Sequence, residues 1–348
     1  MPITIKDVAK YANVSTGTVS RVINNDPGVR PKTRDKVKEA IQQINYVPNA
    51  TARNLKTAKS MIIGLLISDI SNTHFTSIAV ILETILREQG YSVIVCNTDD
   101  DAKQELDYLY RMMSLQVDGL VLNTTSHNNE YISEISHKVP IVLIERNISN
   151  PNFNGDIISS NNFSGTQALT RQLIDCGHRK IGIINGDLRL STGVERLNGF
   201  IETMKEIGVT VDDNYPYCYN SEHFNMNGGI QGCQYLMNLP GRPTAIIVTN
   251  NSMATGVYKY LRINNYSVPD DVSVLSYGNI ENSEIYYVEP GYATLNPYFI
   301  GEKAARYLLT RIQQPDTNNR EVIFEPSLIV NQSVKSLISS SQKFLVHT

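Results

Sequence analysis

The sequence predicts a small all-α head of helix-turn-helix type, a short hinge helix, and a larger body of two α/β lobes with parallel sheets. Three observations predict this division. Residues 1 to 60 hold eleven Lys or Arg against four Asp or Glu, a balance of +7, whereas the whole chain of 348 residues carries −3, so the remainder carries −10. Inside that first segment, apolar residues recur at helical spacing in three short stretches. From Met61 onward they form short apolar runs separated by helical stretches, the pattern of a βαβ unit repeated into a parallel sheet.

A hydrophobic fraction of 41% with 19% charged residues is that of a globular protein, which excludes disordered and collagen-like classes. The longest apolar stretch, residues 61 to 67, is seven residues long, and the first residues lack the apolar run of a signal peptide. Neither export nor a membrane span is expected. Cys96, Cys176, Cys218 and Cys233 lie far apart with no C-x-x-C pair, so no metal site is expected and a reducing cytoplasm fits.

In the head, Ile5, Val8, Ala9 and Ala12 repeat as one face of a helix, with Thr4 in the capping position and Asp7 near its positive end. Ser15 can cap a second helix whose buried stripe is Val19, Val22 and Ile23, with Val14 as its staple. Its other face shows Thr16, Gly17, Ser20 and Arg21. Residues 24 to 28 have loop chemistry, and a third helix after Pro31 places Val37, Ala40, Ile41 and Ile44 inward. Two helices joined by a tight turn, the second with a small, polar and basic outer face, suit the major groove of DNA. Arg21 can bond guanine bidentately, and Thr16 and Ser20 can reach a base or a phosphate. Lys6, Lys10, Lys32, Arg34 and Lys36 can position the backbone only. A solvated charged face is the plain alternative for any one of these residues.

Pro48 then stops the third helix and Asn49 can cap a fourth, in which Ala52 and Leu55 make an apolar edge between Arg53 and Lys56. About two turns are too few to persist alone. Such a wedge suits the minor groove, where Leu can enter a base step; a simple linker helix is the other reading.

In the body, 62–67, 92–96, 119–122 and 141–144 read as strands, with helices at 75–89 and 102–115. A second series comprises strands at 157–159, 180–184, 217–219, 245–249 and 273–276, with helices at 164–176, 193–207, 227–238 and 252–263. Two such lobes hold a ligand in the cleft at the C-terminal ends of their strands.

The motifs Thr4-Ile5-Lys6-Asp7-Val8-Ala9-Lys10, Val14-Ser15-Thr16-Gly17-Thr18-Val19-Ser20-Arg21-Val22-Ile23-Asn24 and Tyr46-Val47-Pro48-Asn49-Ala50 resemble the lactose-repressor/galactose-repressor (LacI/GalR) family of bacterial transcription regulators. The body resembles it too, through Asp69-Ile70-Ser71-Asn72, Val117-Asp118-Gly119, Gly177-His178-Arg179-Lys180-Ile181 and Pro269-Asp270-Asp271-Val272-Ser273, and is similar to periplasmic sugar-binding proteins. The resemblance covers roughly 330 residues. It implies a DNA-binding domain at 1–45, a hinge at 46–60, and an effector-binding and dimerisation domain at 61–348. Lobe one would hold about 61–155 and 292–324, and lobe two about 156–291 and 325–340.

By the same resemblance, Thr16, Gly17 and Arg21 read the major groove beside Ser20, and Ala52, Leu55 and Lys56, behind Asn49, enter the minor groove. Thr4, Lys6, Ser15, Thr18, Asn24 and Thr33 are the expected backbone contacts. The effector would meet Asn72, His74 and Phe75, then Arg146, Thr192 and Arg196, and finally Phe224, Asn251 and Gly278. Phe75 and Phe224 would stack on a ring face, or serve as ordinary core. Gly17 departs from a commoner larger residue, and Arg30-Pro31 from a capping Ser. Asn72-Thr73-His74-Phe75 stands where Asn-Pro-Phe-Phe is common, Asn250-Asn251 replaces Asn-Asp, and Tyr277-Gly278-Asn279 lacks an Asp. Two carboxylates lost beside two retained arginines favour an acidic effector, such as a sugar acid or sugar phosphate, over a plain sugar.

The expected protein is thus a cytoplasmic, nucleoid-associated homodimer on double-stranded operator DNA, most simply a repressor, with a small-molecule effector and no cofactor. After Val334 the tail lacks the leucine heptads of a tetramer-forming coil. No nucleotide-binding, hydrolase or metalloprotease motif is present, and His178 beside Arg179 and Lys180 reads as structural, so no catalytic residue is expected. A sugar receptor, or an enzyme without DNA binding, stays as the alternative.

Overall fold

A computed structural model describes residues 3–23, 25–46 and 59–338. The chain divides into two compact units, residues 1–60 and 61–348.

In the first unit, helix α1 (Ile5–Ala12) begins where the Thr4 amide and hydroxyl both donate to the Asp7 carboxylate, at 2.8 and 2.7 Å. The bond from the Thr4 amide, and then that from its hydroxyl, holds the Asp7 carboxyl below its usual range. Asn13, at a left-handed φ of 49°, ends the helix. Helix α2 (Thr16–Ile23) starts as the Thr18 amide donates to Ser15 Oγ at 3.1 Å, and helix α3 (Pro31–Gln43) opens on Pro31. Val8, Ala9, Ala12, Val19, Val22, Val37 and Ala40 form a shared buried core. Arg34 donates to the Asp26 carbonyl oxygen at 2.5 Å, so it ties the loop before α3 to the head rather than pointing freely outward.

The second unit holds two sheets of six strands. In the first lobe β1 (Ile62–Ile67), α4 (Thr73–Glu88), β2 (Ser92–Asn97), α5 (Ala102–Ser114), β3 (Gly119–Leu122), α6 (Asn129–Ser136), β4 (Ile141–Ile144) and β5 (Asp156–Ser160) follow in sequence. Their parallel sheet runs β11-β5-β4-β3-β1-β2, with β11 (Glu321–Phe324) returning to its edge. Continuous apolar strands are what a sheet covered on both faces requires. Ile63, Leu65 and Ile67 pack under α4 and α11 (Pro297–Gln313), while Leu66, Leu120 and Leu122 pack under α5 and α6.

The second lobe repeats the scheme with α7 (Asn162–Asp175), β6 (Ile181–Asn185), α8 (Ser191–Glu206), β7 (Cys218–Asn220), α9 (Met226–Met237), β8 (Ala245–Val248), α10 (Asn251–Ile263), β9 (Ser273–Tyr277), β10 (Gly291–Ala293) and β12 (Leu328–Ile329). Its sheet runs β12-β10-β9-β8-β6-β7, parallel except for the antiparallel pairing of β12 with β10. The segment after β12 stays on this lobe: the Leu337 amide donates to the Cys176 carbonyl oxygen at 2.7 Å, and buried His178 bonds Thr244 Oγ1 at 2.8 Å and the Lys335 carbonyl at 3.0 Å. Burial, opposed by the Lys335 contact, lowers the His178 pKa, as befits a neutral structural imidazole.

Two boundaries differ from the sequence expectation. The strand expected at 157–159, at the head of the second lobe, spans Asp156–Ser160, pairs with β4 and β11 and so belongs to the first. The chain therefore crosses after residue 160. The return, expected at 292, comes after Ala293, because Gly291–Ala293 pairs with β9. Strand character is local, whereas sheet membership is fixed here by distant partners. Asp156, fully buried, accepts from Arg311 Nη2 at 2.9 Å and Arg320 Nη2 at 2.7 Å, and the side chain of Arg311 is only 2% exposed.

Burial alone would raise the Asp156 carboxyl, but bonds from Arg320 and Arg311 hold it below the usual carboxylate range. Asp156→Ala leaves the Arg311 guanidinium buried without its carboxylate, and such a broken pair costs about 3–5 kcal/mol. A clearly lower urea midpoint is the expected result; a midpoint equal to the parent's refutes the role. Because the folded pKa is depressed, this stabilisation is complete above the unfolded value of 3.8 and is lost as pH falls through the folded one, so parent and variant converge in acid.

Candidate functional site

Between the lobes of the second unit lies a cavity with about 540 Å³ of empty space, part of it open to solvent. Its first wall is built at the C-terminal ends of the strands: Ser68 and Asp69 after β1, Asp100 after β2, Asn123 after β3, and Glu145 with Arg146 after β4. Asn72, His74 and Phe75 join them from the start of α4. The opposite wall has Thr192 and Arg196 of α8, Phe224 before α9, Asn250 and Asn251 at the start of α10, and Tyr277 at the end of β9, with Leu295 from the crossing segment.

The two arginines are held differently. Arg146 grips Asp100 with both terminal nitrogens, at 2.5 and 3.3 Å, and donates to the Thr124 carbonyl oxygen at 3.1 Å. Arg196 donates through Nε to Asn162 Oδ1 at 2.8 Å and through Nη1 to the Thr249 carbonyl oxygen at 2.6 Å, with its guanidinium 4.1 Å above the Tyr277 ring. Its Nη2 has no hydrogen-bond partner among the described residues. Arg196 is buried, which lowers its pKa against the pull of Tyr277 and Glu145, yet guanidinium stays protonated.

Glu145, at a left-handed φ of 59°, faces His74 Nε2 at 2.7 Å. It also accepts from the Ser160 amide at 3.2 Å and the Ser160 hydroxyl at 3.4 Å. Burial alone would raise this carboxyl, but the His74 bond, then the charges of His74 and Arg196, hold it below the usual range. Nε2 is therefore the donor to an ionised Glu145, and Nδ1 is buried without a partner.

One contact crosses the cavity as a reciprocal amide pair. Asn72 Nδ2 donates to Asn251 Oδ1 at 3.1 Å, and Asn251 Nδ2 donates back to Asn72 Oδ1 at 3.0 Å.

Asn72, His74, Phe75, Arg146, Thr192, Arg196, Phe224 and Asn251 all reach this wall. Gly278 does not line it. Its φ of +89° makes a turn behind Asn251, where an added Cβ would lie 2.7 Å from Leu295. Phe75 and Phe224 both face the cavity and belong to hydrophobic clusters, so wall and core are the same role for them. Phe224 fits because Gly186, which the sequence reading missed, has no Cβ; one there would lie 2.4 Å from the ring.

Asp100, Glu145 and Tyr277 were also missed. All three stand at C-terminal strand ends, which is the signal that could have found them. Their presence bears on the expectation of an acidic or phosphorylated effector, which counted only the two arginines. Asp69, Asp100 and Glu145 line the same cavity as Arg146 and Arg196, three carboxylates and two guanidinium groups, with Asp100 paired to Arg146.

In the first unit, the outer face of α2 exposes Thr16, Gly17 and Arg21, and Ser20 is half-buried. Arg21 has only a loose ion pair with Asp26, at 3.8 Å, with its side chain 72% exposed. A Cβ on Gly17 would meet nothing nearer than Ser15 Oγ at 3.7 Å, so no packing demands glycine there. Thr4 and Lys6 are exposed, Ser15 and Thr18 share a hydrogen bond at 2.9 Å, and Thr33 is half-buried in the first turn of α3. Asn24, Asn49, Ala52, Leu55 and Lys56 lie outside the described residues.

Among the described residues no group of three or more His, Cys, Asp or Glu could hold a metal ion, and no helix is long and apolar enough to cross a membrane.

Comparison with known proteins places both units. Residues 4–49 match the model of bacterial regulatory proteins of the lacI family, and residues 170–334 that of a periplasmic binding protein-like domain. The ribose operon repressor of Haemophilus influenzae is 34% identical over 336 residues, spanning 96% of this chain and 99% of that protein. The transcriptional repressor PurR of Mannheimia succiniciproducens is 32% identical over 339 residues, with 96% and 99% covered. The lac repressor dimer bound to operator and the anti-inducer ONPF has the same fold, with a TM-score of 0.82 at 24% identity over 96% of this chain and all of that one.

The reciprocal amide pair predicts how the cleft behaves alone. Asn251→Ala removes two hydrogen bonds of about 0.5–1.5 kcal/mol each without touching a helix cap, since Asn250 caps α10. In the absence of any sugar, the variant should scatter X-rays with a larger radius of gyration than the parent. Superimposable curves would rule out a latch at this place.

Proposed function

The chain belongs to the lacI family of bacterial regulatory proteins, and on that premise we propose a homodimeric, operator-binding repressor governed by a neutral sugar held between the lobes. The observation that carries the effector class is the charge balance of the cavity wall. Arg146 is already paired with Asp100 and Glu145 with His74, so an added anion would meet three carboxylates in the wall against one guanidinium, Arg196, that has no ion pair among the described residues. What remains is a wall of amides, hydroxyls and one free guanidinium nitrogen, with two phenyl rings, the chemistry that binds a polyhydroxylated ring. The relative described as a ribose operon repressor makes D-ribose the first candidate.

In the head, Arg21 reads bases from the major groove with Thr16, Gly17 and Ser20 around it. Thr4, Lys6, Ser15, Thr18, Asn24 and Thr33 hold phosphates. Asn49, Ala52, Leu55 and Lys56 supply the minor-groove contact at the centre of a pseudo-palindrome. A single head offers too little contact for the specific affinities of ~10⁻⁸ to 10⁻¹¹ M that operators require, hence the dimer. Effector and operator affinities are then linked reciprocally, by about 1–3 kcal/mol. The body acts as a cytoplasmic receptor, binding its sugar without turning it over.

Selection of genomic fragments, followed by titration of the chosen operator with and without neutral sugars, tests the proposal. Arg21→Ala should weaken the operator complex by about 1–3 kcal/mol while leaving random DNA nearly unaffected. Leu55→Ala should weaken operator binding and leave sugar binding intact. Arg196→Ala should abolish the sugar response with unchanged DNA affinity. No fragment selected over bulk DNA, or consumption of the sugar, would overturn the reading.

A further inference from the structure

We propose that Asp118 is the positioning residue that ties the hinge to the sugar-binding body: by holding Met61 it fixes the course of the chain where it enters the first lobe, so that a movement of that lobe is passed to the residues before it. The inference rests on the reading of the chain as an effector-governed repressor and goes beyond it by naming the joint.

Met61 is the first residue of the second unit, and its φ is 56°. Every other non-glycine residue with a left-handed φ among the described residues is Asn, Asp, Gln, Ser or Glu, so Met61 is the one apolar side chain carried there. For such a residue the conformation is strained, and it persists only where the surroundings over-determine it.

The surroundings do so from three strands. The Met61 amide donates to Asp118 Oδ2 at 2.9 Å, and its carbonyl oxygen accepts from the Ser92 amide at 2.9 Å. The Asp118 amide closes the frame by donating to the Ile62 carbonyl oxygen at 2.9 Å. The Met61 side chain packs on the first-lobe core and comes against Gly90, where an added Cβ would lie 3.4 Å from Met61 Cε. Glycine at position 61 would reach the same φ without strain, but it would also leave the chain free to turn. Methionine held by a carboxylate leaves it one course.

The strands of this joint lead to the cavity. Met61 precedes β1, Ser92 opens β2 and Asp118 precedes β3. Their other ends deliver Ser68 and Asp69, Asp100, and Asn123 to the cavity wall. A strand of six residues, the length of β1 and β2, spans about 20 Å. Hydrogen-bonded and packed on both faces, the three strands move as one body, so a shift of the lobe imposed at the cavity carries Met61 with it. Without the Asp118 carboxylate, Met61 relaxes out of the left-handed region and the hinge no longer follows the lobe.

Titration of the selected operator with the full chain, alone and with saturating D-ribose, D-glucose or D-galactose, tests the assignment. In the parent one of these sugars should change operator affinity by roughly 5- to 150-fold. Asp118→Ala should bind that sugar in calorimetry as the parent does, whereas the change in operator affinity should shrink to about twofold or less. Asp118→Asn keeps an oxygen acceptor in the same place and should retain most of the response. A second pair of variants leaves Asp118 intact and acts on the backbone, which keeps the test open if Asp118→Ala does not fold. Met61→Ile, whose branched side chain resists a positive φ, should lose the response, and Met61→Asn, which accepts one, should keep it. A full response in Asp118→Ala or Met61→Ile overturns the assignment, as does a response lost together with sugar binding. A parent whose operator complex ignores all three sugars overturns the effector reading, and this assignment with it.

Discussion

A guanidinium buried in a cavity wall cannot be left bare, and the cavity of the second unit is arranged around that constraint for Arg146 and Arg196. Arg146 is gripped by Asp100, and Arg196 by an amide oxygen, a carbonyl oxygen and the face of Tyr277. Each partner comes from a different strand end or helix start, so satisfying the arginines fixes how the elements meet. Burying such pairs adds little net stability, but breaking one is expensive. They therefore act as rigid pegs that define the shape of the wall. The same device fastens the first sheet at its edge, where Asp156 of β5 is held by Arg311 of α11 and by Arg320 just before β11.

The lobes themselves meet through weaker, neutral contacts, among them the Asn147 amide donating to Ser191 Oγ at 3.4 Å and the Asn72–Asn251 pair. The pair between Asn72 and Asn251 is neutral at both ends, so it carries no penalty for desolvating a charge, and it is worth only about 1–3 kcal/mol in all. A contact of that size holds the lobes together without locking them. A ligand can shift an equilibrium only by its differential affinity for the two states, and here a few kcal/mol of wall contacts suffice. Asn72 also caps α4 and accepts from the backbone amide of His74, so the latch residue fixes the start of a helix that lines the cavity.

The head was legible almost residue by residue, because its information is local. Helical spacing marked Val8, Val19, Val22 and Val37 as core, and short-range side-chain chemistry marked Thr4 and Ser15 as caps. The cavity was legible by position. The family motifs lie at strand ends and helix starts, and those parts of the chain do converge. Pairing was not legible. Asp100 and Arg146 are 46 residues apart, and nothing in the spacing says that one neutralises the other. Strand 156–160 shows the same limit: its own residues say strand, but only Arg311, 155 residues away, and the pairing with β4 say which sheet. Charge counted along a sequence is therefore a poor guide to charge inside a fold.

The distinction matters for what the cavity selects. A phosphate or carboxylate brought into this wall would face Asp69, Asp100 and Glu145 as well as the two arginines. At an effective dielectric of about 20, each like charge within 5 Å opposes it by roughly 3 kcal/mol. Arg146 could offset that only by giving up acceptors it already holds, which leaves the single free nitrogen of Arg196 to do so. Hydroxyl groups meet no such conflict, since they add hydrogen bonds to Arg196 Nη2 and the surrounding amides without displacing existing ones. Selectivity among neutral sugars then depends on where each hydroxyl falls, a question of geometry that charge cannot answer, and the fixed donors and acceptors of a rigid wall are suited to ask it.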